Sequence, residues 1–379
     1  MKEAKTIYLS LGSNLGNKLF NLQRAVLLLQ KELGIILEIS GVYKSPSWGF
    51  EGEDFMNACL SLETNCTPAE ILSIILKVER EMGRKRVPGE GYQSRNIDID
   101  LLYYGSEIIK TDELTIPHPH LHLRRFVLKP LADIAPQFYH PVLGKDTRNL
   151  LQECKDKSSL NQTTHKLYSS RELLLSQLHL VAIEGNIGAG KTTLATKIAS
   201  DHNAKLVLER FADNPFLPKF YKDQSRYAFP LEMSFLADRY QQFTDDTTQF
   251  DLFKNFMVSD YDIYKSLIFA QITLQKEEFK LYRKMFNFMY NEVKKPDIYI
   301  FLYQRTERLL ENIKKRGRDY EQGINKEYLE KINRGYLDFL KGFPHRKSLI
   351  INIDDLDFVA NKADYELIID KILEQALTD

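Results

Sequence analysis

Gly185-Asn186-Ile187-Gly188-Ala189-Gly190-Lys191-Thr192 is the segment that leaves this chain the fewest choices. It reads G-x-x-x-x-G-K-T, with the apolar run Leu178 to Ile183 before it and the helical pattern Thr193 to Ser200 after it. Strand, glycine-rich turn and helix in that order make a phosphate cradle. Backbone N–H groups and the helix N-terminus bind β- and γ-phosphates, Lys191 adds a charge and Thr192 ligates Mg²⁺. Downstream, helix-rich sequence alternates with the strand-like runs Lys205 to Leu208, Phe256 to Ser259, Ile298 to Tyr303 and Ser348 to Ile353. The alternation predicts a parallel α/β sheet with helices on both faces. Such a cradle indicates a nucleotide but not a reaction. Asn361-Lys362-Ala363-Asp364 mimics an N-K-x-D guanine-reading motif, yet no D-x-x-G precedes it and it lies near the C-terminus, so it reads as coincidence.

The cradle occupies only the second half of 379 residues, and at ~150 residues per domain two packed units are expected. Lys plus Arg and Asp plus Glu are 52 each, so net charge is zero and nothing favours nucleic acid or a membrane surface as the main ligand. Cys59, Cys66 and Cys154 are odd in number and lack C-x-x-C spacing, which argues against a disulfide framework and a zinc knuckle. With no apolar run near ~18 residues and no signal-type start, a reducing, cytoplasmic location is expected.

In the first half, the strand-like run Thr6 to Leu11 ends in the turn cluster Gly12 to Gly16. Leu19, Leu22, Val26, Leu29 and Leu33 then mark one helical face, stopped by Gly34. Two strands follow, Ile35 to Tyr43 and Phe55 to Glu63. Thr67-Pro68-Ala69-Glu70 reads as a capping box that opens a helix, and a further strand spans Asn96 to Tyr104. Strand, helix, strand, strand, helix, strand is the order of a ferredoxin-like α+β sandwich. On the last strand Asp98 and Asp100 stand two apart and point to one face, their α-carbons roughly 6.6 Å apart. From there two carboxylates can hold Mg²⁺ on a polyphosphate, although D-x-D alone also suits a solvated strand edge. Arg84, Arg86 and Arg95 flank the pair on a loop with Pro88, Gly89 and Gly91. Cations facing a metal-holding pair suit phosphoryl chemistry, in which charge builds on the transferring group. His118-Pro119-His120-Leu121-His122 could pass for a metal site, but Pro119 breaks strand regularity and no carboxylate or cysteine completes the set.

Arg95-Asn96-Ile97-Asp98-Ile99-Asp100-Leu101-Leu102 and Leu11-Gly12-Ser13-Asn14-Leu15-Gly16 resemble the 6-hydroxymethyl-7,8-dihydropterin pyrophosphokinase family across residues 5 to 152. The resemblance implies transfer of diphosphate from ATP to the pterin with release of AMP, and two Mg²⁺ ions on Asp98 and Asp100. It places Ser45, Pro46, Phe55, Asn57, Tyr92 and Phe126 at the pterin, and Glu79, Thr115, His118 and Arg124 at ATP, with Arg84, Arg86 and Arg95 in catalysis. A flat ring rich in donors and acceptors needs an aromatic sandwich and an amide, which these residues supply, with Trp48 as a further candidate. Pro119 and Glu113 depart from the family pattern.

In the second half, Glu209 ends one strand beside Arg210, Asp260 ends another, and Lys314 to Gly323 offers a cationic lid that is otherwise a solvated helix end. Together with the cradle these resemble the deoxynucleoside kinase family, near its bacterial purine branch, across residues 178 to 375. The resemblance implies γ-phosphoryl transfer from ATP to a 5′-hydroxyl, with Glu209 as base and one Mg²⁺ on Thr192 and Asp260. Lys191, Arg316 and Arg318 would act on the phosphates, which Gly185, Asn186, Gly188, Ala189, Gly190, Thr192 and Thr193 cradle. Tyr221, Glu232, Arg239, Phe269 and Glu321 would hold the deoxynucleoside, and the family resemblance implies a homodimer through this half. Tyr261 stands where many relatives carry arginine, Glu232 where many carry glutamine, and Ser266 replaces an acidic residue that often pairs with Arg239. A carboxylate at 232 suits guanine, a protonated one adenine, so a purine deoxynucleoside is expected.

The expected organisation is thus residues 1–154 as one catalytic domain, 155–176 as a linker or polar surface helix, and 177–379 as a second domain. Small-molecule substrates and ATP are the expected partners of a bifunctional enzyme. The rivals are a chain in which one half is a degenerate nucleotide-binding or assembly module, and a GTPase switch, which the missing D-x-x-G disfavours.

Overall fold

A computed structural model describes residues 4–84, 93–210, 214–248, 253–291, 293–342 and 347–378, and the chain divides into two units, Met1–Leu173 and Leu174–Asp379. Arg86 and Tyr92 lie outside the described residues.

In the first unit β1 (Lys5–Ser13), α1 (Lys18–Leu33), β2 (Ile35–Ile39), β3 (Tyr43–Ser45), β4 (Phe55–Thr64), α2 (Pro68–Glu81), β5 (Asp98–Tyr104), β6 (Ile109–Lys110), β7 (Thr115–Ile116), α3 (Arg125–Ile134), α4 (Thr147–Glu153) and β8 (Asn161–Gln162) follow in order. An antiparallel sheet runs β5-β1-β4-β3-β8, with β2 also paired to β4. The expected strand 35–43 is two strands. Ser40 interrupts it, because its hydroxyl accepts the N–H of Cys59 at 2.9 Å. The capping box at α2 forms as expected: Thr67 and Glu70 each accept the other's backbone N–H. Cys59, Leu102, Tyr103, Val127, Leu128 and Leu131 pack α3 onto the sheet. The stretch 155–176 contributes β8 to the sheet edge beside β3, and Gln23 exchanges two hydrogen bonds with the backbone of Tyr168. Its polar residues gave no periodicity because two-residue pairing and side-chain ties hold it, rather than an apolar face.

Helix α5 (Arg171–Leu175) crosses the boundary. Then come β9 (Leu180–Gly185), α6 (Lys191–Asp201), β10 (Lys205–Val207), α7 (Leu217–Phe220), α8 (Gln224–Thr248), β11 (Met257–Ser259), α9 (Lys265–Thr273), α10 (Lys276–Asn291), β12 (Ile298–Tyr303), α11 (Thr306–Arg316), α12 (Lys326–Gly342), β13 (Ser348–Asn352) and α13 (Lys362–Leu377). The strands form a parallel sheet ordered β10-β11-β9-β12-β13. Leu180, Ala182, Tyr299 and Phe301 meet apolar residues of α8, α9, α10 and α12, while the alternate strand residues point the other way. Helix α6 packs on β9, β10 and β11, and α13 on β12 and β13. Central β9 therefore delivers the glycine-rich turn to the carboxyl edge of the sheet, where open parallel sheets hold ligands. Asn361 caps α13 by accepting the N–H of Ala363, and Asp364 accepts the N–H of Asp357, which gives the N-K-x-D stretch a structural role. All three cysteines are free, and among the described residues no helix is long and apolar enough to cross a membrane.

Candidate active sites

The first site is an open cleft of ≈ 490 Å³ at one end of the antiparallel sheet. Its floor is set by register: Gly12 lies opposite Asp98 on one side and Asn57 on the other, so acid and amide reach the same opening. Asn57 is buried and donates to the Ser45 hydroxyl at 3.0 Å. Pro46, Phe55 and Phe126 line the walls with Trp48 and Phe50, and the Arg124 guanidinium lies 5.1 Å from the Trp48 ring centre. Asn14, buried in the turn after β1, accepts the backbone N–H of Arg95 at 2.7 Å and holds that arginine at the cleft.

Asp98 and Asp100 both face the opening and both meet cations. Arg84 donates to Asp98 Oδ1 at 2.6 Å, Arg95 reaches Oδ2 at 3.1 Å, and Arg124 reaches Asp100 Oδ2 at 3.2 Å. Burial and the neighbouring Asp98 push the Asp100 carboxyl up to about 6, against the pull of Arg124. Burial and Arg124 bring His118 down to about 4, so its ring is neutral near pH 7; its Nδ1 accepts the N–H of His120, and Nε2 lies 3.9 Å from Asp100. Residues 118–123 form a turn and a 3₁₀ segment, so the three histidines do not share a strand face. Glu79 is buried beneath the floor, accepting from Arg84 and from the N–H of Ile99, and Thr115 sits on β7; neither lines the cleft.

The second cleft, of ≈ 840 Å³, opens at the carboxyl edge of the parallel sheet. Gly185 is forced by close approach, since a Cβ there would stand 2.8 Å from the Leu302 carbonyl. Ile187, Gly188, Lys191 and Thr192 line the opening, whereas Gly185, Asn186, Ala189, Gly190 and Thr193 shape the turn without lining it. The buried Asn186 side chain donates to Leu329 O and Asn333 Oδ1, tying the turn to α12, and the Asn186 backbone carbonyl accepts from Lys191 at 3.0 Å. Burial and the nearby Lys265 lower the Lys191 ammonium to about 8. Thr192 donates to Asp260 Oδ2, and Asp260 Oδ1 accepts the N–H of Glu209 at 2.8 Å, which joins the ends of β10 and β11 to the turn.

Glu209 is gripped by Arg239 and by Lys265. Burial would push its carboxyl up, but the two cations outweigh it and hold it well below the usual carboxylate range. Arg239 also donates to the Ser266 hydroxyl at 2.7 Å. Glu232 is buried on α8 two turns before Arg239; Oε1 accepts from Thr273 at 2.9 Å, and Oε2 has no hydrogen-bond partner among the described residues. Burial pushes this carboxyl up to about 7 against the pull of Arg239. The left-handed Gly317 (φ 73°) ends α11 and turns both Arg316 and Arg318 onto the buried Glu321. Tyr221, Phe269 and Glu321 line the cleft together with Phe220, Phe235, Tyr328 and Lys265, none of which the sequence reading singled out. Lys265 opens the apolar run Ser266 to Ala270, and a lone charge there was its only local signal.

Residues 8–136 match the model of the 7,8-dihydro-6-hydroxymethylpterin-pyrophosphokinase family, and residues 181–378 that of the deoxynucleoside kinase family. A 2-amino-4-hydroxy-6-hydroxymethyldihydropteridine pyrophosphokinase of Aquifex aeolicus is 42% identical over 156 residues, covering 41% of this chain and 93% of that protein. A deoxyguanosine kinase of Bacillus subtilis is 38% identical over 192 residues, covering 50% of this chain and 93% of that protein. A solved structure of deoxyadenosine kinase from M. mycoides with bound dATP aligns at 26% identity and a TM-score of 0.45, covering 51% of this chain and 98% of that one. The chain therefore belongs to two families, the pterin pyrophosphokinases through its first half and the deoxynucleoside kinases through its second.

Proposed function

We propose that the chain catalyses two ATP-dependent transfers at separate sites. The first moves diphosphate to 6-hydroxymethyl-7,8-dihydropterin and releases AMP; the second moves the γ-phosphate to the 5′-hydroxyl of a purine deoxynucleoside and releases ADP. The observation that carries this reading is that each family-matched half has its own cleft in which carboxylates and cations converge. In the first, Phe55 and Phe126 with Trp48 would sandwich the pterin, and Asn57, Ser45 and Pro46 would meet its edge. Arg84 and Arg95 would pass from Asp98 to the phosphates as charge moves there, while Arg124 and His118 hold ATP, with Glu79 setting Arg84 from below and Thr115 at the outer edge. In the second, the turn 185–193 and Lys191 would wrap the phosphates, and Arg316 and Arg318 would close on them. Glu209 would take the proton of the 5′-hydroxyl, with Tyr221 and Glu321 at the 3′-hydroxyl and Phe269 against the base. Asp98 with Asp100 would hold two Mg²⁺ ions and Thr192 with Asp260 one; both sets are oxygen donors facing a cleft, which suits this hard cation, and the bound ions neutralise polyphosphate charge.

The unpartnered Oε2 of Glu232 supports a purine reader. A carboxylate accepts from both N1–H and the 2-amino group of guanine, whereas a carboxylic acid can donate to N1 of adenine and accept from its 6-amino group. The Bacillus subtilis relative named a deoxyguanosine kinase favours the first pairing near neutral pH. On the exposed side of α10, Leu281, Met285 and Phe288 form a stripe at i, i+4 and i+7, with Phe288 80% exposed, and this supports a homodimer through a second copy.

Three outcomes follow. Asp98→Asn should cut AMP release by about 10³-fold or more and spare ADP release, and Lys191→Ala should do the reverse; loss of both from either change would contradict separate sites. Deprotonation of Glu232, which Arg239 and Lys265 face, should raise the deoxyguanosine to deoxyadenosine ratio of kcat/KM by about tenfold between about pH 6 and about pH 8, with Glu232→Gln flattening it; a pH-independent ratio in the unaltered enzyme would exclude this reader. Phe288→Asp should halve the mass measured by sedimentation, and an unchanged mass would remove α10 from the interface.

A further inference from the structure

Glu209 is clamped by cations from two different helices. Arg239 of α8 donates Nε and Nη2 to Oε1 at 2.8 and 2.7 Å, and Lys265, the first residue of α9, places Nζ 2.6 Å from Oε2. Both side chains are more than nine-tenths buried. Tyr261, next to Asp260 in sequence, donates no hydrogen bond to this carboxylate. Its ring is fully buried edge-on to Phe243 in the core between α8, α9 and α10, and its hydroxyl has no partner among the described residues.

The lysine is itself fixed from the phosphate-binding strand. Glu184, the residue before Gly185, accepts the N–H of Asp262 at 2.7 Å and the hydroxyl of Tyr336 at 2.8 Å, and the carbonyl of Asp262 accepts the N–H of Lys265 at 3.1 Å. The Lys265 ammonium also lies 5.6 Å from the centre of the Phe269 ring, which limits its swing. A carboxylate has about four lone-pair positions, so two donors from Arg239 on Oε1 and one from Lys265 on Oε2 leave one on Oε2 for a substrate hydroxyl while fixing the plane it lies in.

We propose that Lys265 is the positioning residue for Glu209, holding Oε2 so that the carboxylate meets the 5′-hydroxyl in line with the phosphate turn. This rests on Glu209 acting as the base of the second reaction. Without the lysine the carboxylate pivots about Arg239 alone, and misplacement of about 1 Å costs about 10²-fold in rate.

Lys265→Met and Lys265→Arg, assayed with ATP and deoxyguanosine or deoxyadenosine, test the assignment. Lys265→Met should lower kcat about 10²-fold with both KM values within about threefold of the starting enzyme, and Lys265→Arg, which keeps a cation, should recover kcat to within about tenfold. Thermal unfolding with and without a non-hydrolysable ATP analogue checks that the variants fold and bind; if Lys265→Met does not, Lys265→Gln takes its place with the same expected loss of kcat. An undiminished kcat, a rise in KM alone, or an equal loss in the arginine variant would overturn the positioning role while leaving the second activity standing. An unaltered chain that phosphorylates no purine deoxynucleoside would instead remove the reading on which it rests.

Discussion

Carboxylates drawn partly or wholly out of water and answered by arginine or lysine are the interaction on which both clefts depend. Removing a lone ionised carboxylate from water costs several kcal/mol even after the protein relaxes, so such a group stays charged only with a partner. Asp98 between Arg84 and Arg95, Asp100 against Arg124, and Glu209 between Arg239 and Lys265 all meet that requirement. The same pairings pre-arrange the chemistry. Under the proposed function, a polyphosphate would bring its own negative charge and offer the arginines a new partner, and the oxygens they leave would face the cleft.

The scaffolds that carry these groups differ in kind. In the first unit an antiparallel register sets Gly12 opposite both Asn57 and Asp98, so the site is a product of strand alignment and a one-residue slip would turn every one of these side chains to the other face. In the second, parallel strands end at a common edge, and hydrogen bonds from Thr192 and Glu209 to Asp260 stitch three strand ends together. Glu184 extends that stitching beneath the turn, pushed up to about 7 by burial and tied to the Asp262 backbone and Tyr336.

What could be read in the sequence is what depends on near neighbours along the chain. The G-x-x-x-x-G-K-T turn, the capping box at Thr67 and the two-residue spacing of Asp98 and Asp100 are local, and each occupies the expected element. Strand ends moved by one or two residues, as β9 and β10 did. The split of β2 from β3 was hidden because it depends on the Ser40 hydroxyl and a partner nineteen residues away. Lys265 was hidden for the same reason on a larger scale: its partner is 56 residues distant, and nothing in Lys265-Ser266-Leu267-Ile268 announces it. Asn186 illustrates the opposite case, a motif residue whose place was legible but whose side chain serves α12 rather than the opening.

The central claim is that one polypeptide holds two independent ATP sites. Calorimetric titration of the intact chain with a non-hydrolysable ATP analogue, in magnesium and with the pterin and a purine deoxynucleoside present, measures this directly. Two nucleotides bound per chain, falling to one when Lys191 is replaced by alanine, is the predicted result; a single nucleotide per unaltered chain would contradict it.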